Sequence, residues 1–157
     1  MDPAGIEIGV ERPDSPDARR CLGRYVAELA VRFEEGFDPA SGNALAEQDM
    51  EPPTGYLVLA RLEGEAVGCG VVKRLDERAG EIKRVWVDPK MRGRGLAGRL
   101  MRELETLALA LGCSRVRLDT NKALTEAQQL YERLGYKDIA RYNDNPYAHR
   151  WFEKDLP

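Results

Sequence analysis

Cysteine and histidine are scarce in this sequence of 157 residues. Cys21, Cys69 and Cys113 are odd in number, far apart in the chain and never arranged as a Cys-x-x-Cys pair. This spacing argues against a disulfide framework and against a zinc site, so no metal is expected. His149 is the one histidine. A lone histidine is more often structural than catalytic, so no catalytic role is predicted for it.

Long apolar runs and an excess of basic residues are also missing. No apolar run approaches the roughly 20 residues needed to cross a bilayer, and the first five residues lack the basic start and apolar stretch of a signal peptide. Lys and Arg number 24 against 27 Asp and Glu, a formal charge of −3, which argues against a general nucleic-acid binder. We therefore expect a cytoplasmic protein whose partners include neither a membrane nor a nucleic acid.

The length and composition fit one folded domain spanning residues 1–157. Apolar residues make up 43% of the chain and charged residues 32%, which are ordinary values for a globular protein. Two domains would be cramped at this length. The sequence contains no internal repeat, low-complexity tract or linker that would divide it.

The pattern of apolar residues predicts alternating strands and helices. Ser15-Pro16-Asp17 is a typical helix start, with a capping hydroxyl, a proline in the first turn and an acid near the positive end of the dipole. Apolar spacing predicts helices over 16–33, 96–111 and 125–134 and a short one around 44–49. Strands are predicted over 6–10, 56–62, 66–75, 81–87, 114–120, 136–140 and 149–156. This order indicates an α/β fold of the α+β type with a mixed, largely antiparallel sheet.

A glycine-rich turn between the strand over 81–87 and the helix at 96 carries the chemistry. The first turn of a helix has unpaired N–H groups and a positive dipole end. Gly93 and Gly95 remove side chains that would keep a ligand from those amides, while Arg92 and Arg94 add positive charge. Together these features predict a cradle for a pyrophosphate or a similar anion.

Two well-known phosphate-binding motifs fit this turn less well. A P-loop needs Gly-Lys-Ser/Thr, which is absent. A Rossmann site needs a parallel βαβ unit near the N-terminus, whereas this turn follows a meander in mid-chain. A tight turn without a ligand remains the alternative from the turn alone.

Two motifs resemble those of the GNAT (Gcn5-related N-acetyltransferase) superfamily. Residues 87–97, Val-Asp-Pro-Lys-Met-Arg-Gly-Arg-Gly-Leu-Ala, are similar to its acetyl-CoA-binding motif, whose core is Arg/Gln-x-x-Gly-x-Gly/Ala. Residues 130–136, Leu-Tyr-Glu-Arg-Leu-Gly-Tyr, match its second motif, and the order of elements follows the family over 6–156. The resemblance implies a sheet of six to seven strands, splayed at the acetyl-CoA site and flanked by about four helices. It also implies transfer of an acetyl group from acetyl-CoA to a primary amine, without a metal.

The resemblance implies a set of cofactor contacts. Backbone groups of residues 85–87 would pair with the pantetheine arm, and amides of residues 93–98 would hold the pyrophosphate. The family often has Asn seven residues before the tyrosine of the second motif; here that position is Leu124, and Asn121 is expected to replace it. The predicted cofactor-binding residues are Val85, Trp86, Val87, Arg92, Gly93, Arg94, Gly95, Leu96, Ala97, Gly98 and Asn121.

The catalytic groups follow from the same resemblance. Tyr131 occupies the place of a tyrosine near the thioester sulfur, and a phenol with a pKa of about 10 suits protonation of a thiolate. Glu81 and Asp119 both lie where family members carry an acid that deprotonates the amine. Glu81, Asp119 and bulk water therefore remain three alternatives for the base.

The acceptor is expected to be a small-molecule or amino-acid-like amine that enters between the early helical region and the last strands. Glu34 and Glu35 could attract a cationic amine, and Asn143 and Asn145 are predicted to bind the substrate. Arg32, Arg141 or Arg150 could clamp a substrate carboxylate. Acetylation of a peptide or protein, and a non-catalytic acyl-CoA sensor, are the alternatives. The resemblance also allows a homodimer.

Overall fold

The computed structural model describes residues 5–41 and 44–157. They form a seven-stranded sheet with the order β1-β2-β3-β4-β5-β7-β6 and three α-helices. The strands are β1 (Ile6–Glu11), β2 (Gly55–Leu62), β3 (Glu65–Arg74), β4 (Ala79–Val87), β5 (Arg115–Thr120), β6 (Lys137–Ile139) and β7 (Arg150–Asp155). The helices are α1 (Pro16–Arg32), α2 (Leu96–Ala110) and α3 (Thr125–Arg133), with single 3₁₀ turns at Glu47–Met50 and Pro89–Met91.

The predicted mixed, mainly antiparallel sheet is confirmed. β4 and β5 form the one parallel pair among the paired strands, and the other neighbours are antiparallel. The helix predicted around 44–49 is only the 3₁₀ turn Glu47–Met50. The adjoining Pro52 and Pro53 explain its shortness, because proline lacks the N–H that would continue a helix and restricts the residue before it.

The helices cover the two faces of the sheet because β2 and β3 are apolar on both sides. Along β2, Leu57 and Leu59 belong to the core under α1, while Val58 and Ala60 belong to the core under α2. This alternation is the side-chain period of a strand. The α1 helix begins where the sequence predicts, since the Ser15 hydroxyl accepts a hydrogen bond of 3.1 Å from the Ala18 N–H.

The sheet divides between β4 and β5. Parallel pairing is confined to residues 79–81 of β4 and 115–117 of β5. Among residues 5–41 and 44–157, β4 beyond Glu81 pairs only with β3, and β5 beyond Arg117 pairs only with β7. The predicted splay is thus present, and Glu81 lies at its fork. No helix within the described residues is long and apolar enough to cross a membrane.

Candidate active site

Two adjoining cavities occupy the gap between the separated strands and the helices α1 and α3. The larger has a volume of about 370 Å³ and the smaller about 120 Å³. They share part of their lining, so the two cavities adjoin. The shared residues are Tyr25, Leu29, Val85, Leu124, Ala127 and Tyr131.

The larger cavity collects most of the predicted cofactor-binding residues. These are Val85, Trp86, Val87, Arg92, Gly93, Gly95, Leu96, Ala97 and Gly98. Arg94 is exposed and lies outside the lining. Asn121 lines the smaller cavity instead, and its side chain bonds to the Tyr147 carbonyl and the Ala123 N–H. The geometry therefore gives no support to cofactor contacts by Arg94 or Asn121, which stay predictions.

The glycines of the turn are required by backbone conformation rather than by crowding. Gly93 and Gly95 both have φ of 78°, in the left-handed region that disfavours other residues. A Cβ atom added at either position would meet no described atom within 4 Å. Gly95 is the N-cap of α2, so the unpaired first-turn N–H groups lie at the rim of an open cavity. That arrangement suits a bound phosphate.

Glu28 of α1 is a member of the larger cavity that the sequence pattern did not indicate. It accepts hydrogen bonds from Arg92 Nη2 at 2.6 Å and from Trp86 Nε1 at 3.2 Å. Burial opposes its ionisation, but these hydrogen bonds outweigh burial and hold the pKa of Glu28 below its usual value. Arg92 therefore ties the glycine-rich turn to α1.

Glu81 lies at the inner end of the smaller cavity, with only 2% of its surface exposed. The Tyr142 hydroxyl donates to its Oε2 at 2.6 Å, and Asn143 Nδ2 lies 3.4 Å from the same oxygen. Lys83 Nζ lies 3.7 Å from Oε1. Burial, followed by the charge of Glu81, raises the pKa of Tyr142 far above its ordinary value, so Tyr142 remains a proton donor to Glu81.

Asp119 is on the other arm of the split sheet and is held by the two predicted substrate-binding amides. Asn143 Nδ2 donates to its Oδ2 at 2.7 Å, and Asn145 Nδ2 donates to its Oδ1 at 3.1 Å. Burial raises the pKa of Asp119 above its ordinary value, and the Asn143 hydrogen bond only partly offsets this effect. The structure thus brings both candidate bases into one cavity. The side-chain amides of Asn143 and Asn145 are both engaged in hydrogen bonds to Asp119.

Tyr131 lines both cavities, so it lies where the two meet. Its ring packs against Tyr136 and Phe152 with centroid distances of 5.9 and 5.8 Å. Within residues 5–41 and 44–157, its hydroxyl makes no hydrogen bond. Burial raises the pKa of Tyr131 above its ordinary value, which keeps the phenol protonated at neutral pH.

Aromatic side chains cover the outer end of the smaller cavity. The rings of Phe37, after α1, and Tyr147, before β7, are 4.9 Å apart, and the Asp38 N–H donates to the Tyr147 hydroxyl at 2.9 Å. Both segments contain residues that the sequence analysis predicted to bind the acceptor, and that role stays a prediction. Glu34 and Glu35 are exposed and are absent from the described lining of both cavities.

Comparison with known proteins gives a consistent result. The sequence matches the Acetyltransferase (GNAT) family over residues 23–136. An uncharacterized N-acetyltransferase of Schizosaccharomyces pombe is 32% identical over 151 residues, which cover 93% of this chain and 91% of the relative. A solved structure from Klebsiella pneumoniae, assigned as an acyl-CoA N-acyltransferase, is 30% identical with a TM-score of 0.75 and covers 96% of this chain and 97% of its own. An acetyl-CoA-bound GNAT acetyltransferase from Elizabethkingia anophelis, 20% identical, has the same fold with a TM-score of 0.68 and covers 98% and 99% of the two chains.

Proposed function

This chain belongs to the GNAT acetyltransferase family and is an acyl-CoA-dependent acyltransferase; from that premise we propose that it acetylates the primary amine of a small-molecule or amino-acid-like acceptor. The observation that carries the proposal is the meeting of the two cavities at Tyr131 and Val85. One cavity has at its rim the glycine-rich start of α2, which suits the phosphates of acetyl-CoA, and the other is lined by the carboxylates of Glu81 and Asp119. An amine in the second cavity would face a thioester in the first.

The backbone groups that line the larger cavity suit acetyl-CoA, the proposed cosubstrate. Left-handed glycines bring the first-turn N–H groups of α2 to the rim of this cavity. In the part of the chain that the structure describes, the Val85–Val87 segment of β4 has no strand partner on its β5 side. Its unpaired edge can bind an extended pantetheine arm as an added strand would. Acetyl-CoA supplies the activated acetyl group when bound.

The proposed transfer is direct and uses two side chains and a backbone N–H. Glu81 or Asp119 accepts a proton from the acceptor ammonium, by contact or through water, which leaves a neutral amine to attack the thioester carbonyl. A backbone N–H within residues 85–87 stabilises the oxyanion that forms. The carbon–sulfur bond then breaks, and the Tyr131 hydroxyl donates its proton to the leaving thiolate. The attacking nitrogen, which carries an extra proton after the attack, releases it to water, and Tyr131 regains a proton from water or from the protonated carboxylate.

The covered outer end of the smaller cavity supports a small acceptor over a peptide. A peptide needs an open groove on both sides of the reacting amine. Here the contact of Phe37 with Tyr147, and the hydrogen bond from the Asp38 N–H to the Tyr147 hydroxyl, join the two segments along the wall of this cavity. We further propose that the chain works as a single N-acetyltransferase domain.

Release of the CoA thiol from acetyl-CoA tests this function. The assay compares small primary amines, amino acids and two peptides, one with a free N-terminus and one with an internal lysine. Turnover is expected with the small amines and not with the peptides. A preference for either peptide would overturn the small-acceptor proposal. Tight CoA binding by calorimetry without turnover of any amine would replace it with a non-catalytic sensor.

A further inference from the structure

Arg84 has an unusual backbone conformation in the middle of β4. Lys83 pairs with Val71 and Trp86 pairs with Cys69, so Arg84 and Val85 both lie opposite the single residue Gly70. This two-against-one arrangement is a β-bulge. The φ of Arg84 is 59°, in the left-handed region that is strained for a residue with a large side chain. Such strain is concentrated at functional sites.

The bulge directs the Arg84 side chain to the smaller cavity, which it lines. Its guanidinium carbon lies 5.8 Å from the centroid of the Tyr25 ring. Across residues 5–41 and 44–157, no carboxylate lies within 4.0 Å of its nitrogens. A guanidinium that stacks on a ring keeps its N–H donors in the plane, directed outward, where they match the two oxygens of a carboxylate.

The arginines that the sequence suggested as carboxylate clamps are engaged elsewhere. Arg32 pairs with Glu126 and Arg150 pairs with Asp138. Arg141 stacks over Trp151, 5.1 Å from the ring centroid, and is absent from the described lining of both cavities. Arg84 is therefore the arginine of this set that faces the acceptor cavity without an ion-pair partner.

The remaining walls of the smaller cavity complete a three-part site. Glu81 and Asp119 provide negative charge at the inner end, and Phe33, Phe37 and Tyr147 provide an apolar outer wall. Arg84 provides positive charge on the β4 wall of the same cavity. A compound with an ammonium group, a carboxylate and an apolar body matches this distribution.

Resting on the proposed function, we propose that the acceptor is a free amino acid with an apolar or aromatic side chain, whose carboxylate binds Arg84. Arg84 adjoins Val85 in the chain, and Val85 lines both cavities. A carboxylate held by Arg84 would thus keep a neighbouring amine close to the thioester. Arg84 is a specificity-determining residue and takes no part in the proton transfers.

Matched acceptor pairs test the role of Arg84. Leucine is compared with isoamylamine, and phenylalanine with phenethylamine; each pair differs by the carboxylate. The variants are Arg84→Asn, because asparagine tolerates the left-handed region and lacks the charge, and Arg84→Lys, which keeps the charge without the planar fork. For each protein the ratio of kcat/KM for the acid over the amine is measured. Comparing ratios between proteins cancels the difference in amine basicity.

In the wild type, the ratio is expected to favour the acid by roughly 10- to 100-fold, the range for a hydrogen bond to a charged group. Arg84→Asn is expected to reduce the ratio to about 1, chiefly through the KM of the acid, and Arg84→Lys to give an intermediate ratio. An equal ratio in wild type and Arg84→Asn would overturn the proposal, as would a wild type that prefers the amine without a carboxylate.

The same assay separates this inference from the proposed function. If the acids and the amines are acetylated with equal kcat/KM, the proposed transferase function is supported and the proposed role of Arg84 is wrong. If calorimetry shows acetyl-CoA binding but neither the acids nor the amines are acetylated, the proposed function and the proposed role of Arg84 are both wrong. Melting temperatures of the two variants near that of the wild type establish that a changed ratio comes from the side chain rather than from unfolding.

Discussion

Trp151 donates its indole N–H to the Oδ1 atom of Asn143 over 2.9 Å. Because an indole nitrogen can only donate, this contact fixes which end of the Asn143 amide faces inward. The Nδ2 group then lies 2.7 Å from Asp119 and 3.4 Å from Glu81. One amide thus bridges the carboxylates of Glu81 and Asp119, which lie on the two arms of the split sheet, and β7 helps to orient it through Trp151.

Trp151→Phe should disturb this bridge while keeping an aromatic ring. Without the indole donor, Asn143 Oδ1 keeps only the longer hydrogen bond from the Asn145 N–H, at 3.3 Å, so the amide is held less firmly and its hydrogen bond to Asp119 weakens. That hydrogen bond lowers the pKa of Asp119, so the acidic limb of the kcat/KM profile should move to higher pH. The free energy of unfolding should fall by about 1 kcal/mol. A pH–rate profile and urea denaturation measure the two effects.

Trp86→Phe is the matched control for this change. It removes an indole N–H that bonds to Glu28 in the larger cavity, so it should alter acetyl-CoA affinity and leave the acidic limb in place. An acidic limb that is the same in Trp151→Phe and the wild type, together with a reduced free energy of unfolding, would exclude Asp119 as the titrating base. If neither quantity changes, Asn143 does not depend on Trp151.

The raised pKa of Asp119 predicts a pH-dependent cost in stability. Burial raises this pKa above its unfolded value of about 4, so the folded protein binds more protons than the unfolded chain between the two values. The free energy of unfolding therefore falls as the pH rises through this window. Asp119→Asn removes the ionisable group, so its stability relative to the wild type should improve from pH 4 to pH 8. Urea denaturation at several pH values measures this difference, and a constant difference would contradict the prediction.

Local sequence signals were sufficient for most of the fold. The helix predicted over 96–111 is observed as Leu96–Ala110 because Gly95 and Gly112 limit it and a leucine stripe buries one face. The motif that contains Tyr131 could also be recognised from the sequence, since its spacing depends only on residues close in the chain. Both candidate bases also lay on predicted strands, and the split sheet brings them to one cavity.

The features that the sequence did not reveal depend on contacts distant in the chain. The bulge at Arg84 arises from the register of β3 against β4, which apolar periodicity does not specify. Glu28 and Arg92 are 64 residues apart, so no local pattern links them. Glu34 and Glu35 follow the end of α1 and are exposed, because the apolar residues nearby, Phe33 and Phe37, take the inward positions.

Tyr131→Phe should reduce kcat by roughly 10²- to 10⁴-fold, the usual contribution of a general acid, without weakening acetyl-CoA binding. The hydroxyl makes no hydrogen bond within the described part of the chain, so its loss should cost little stability. Tyr136→Phe is a suitable control, because it removes a buried hydroxyl bonded to Glu105 outside the two cavities and should retain turnover. Steady-state kinetics and calorimetry provide the readouts. A kcat near that of the wild type would exclude Tyr131 as the acid.

Gly95→Glu should abolish CoA binding while the protein remains folded. The substitution places a carboxylate at the rim of the phosphate cradle, where its charge repels the pyrophosphate. The left-handed φ of 78° adds backbone strain, at a cost of about 1–2 kcal/mol. No described atom lies within 4 Å of the added Cβ, so the new side chain has room and should not disrupt the core. Calorimetry with CoA measures the affinity, and thermal denaturation measures the stability.

Gly64→Glu separates the effect of charge at the cradle from backbone strain. Gly64 has a similar φ of 82° and equally open surroundings, but it is exposed in the β2–β3 turn and lines neither described cavity. Both variants should lose comparable stability, and only Gly95→Glu should lose CoA affinity. Equal affinity in the two variants would mean that the N–H groups at the start of α2 do not hold the phosphates. In that case the larger cavity would bind CoA through the β4 edge alone.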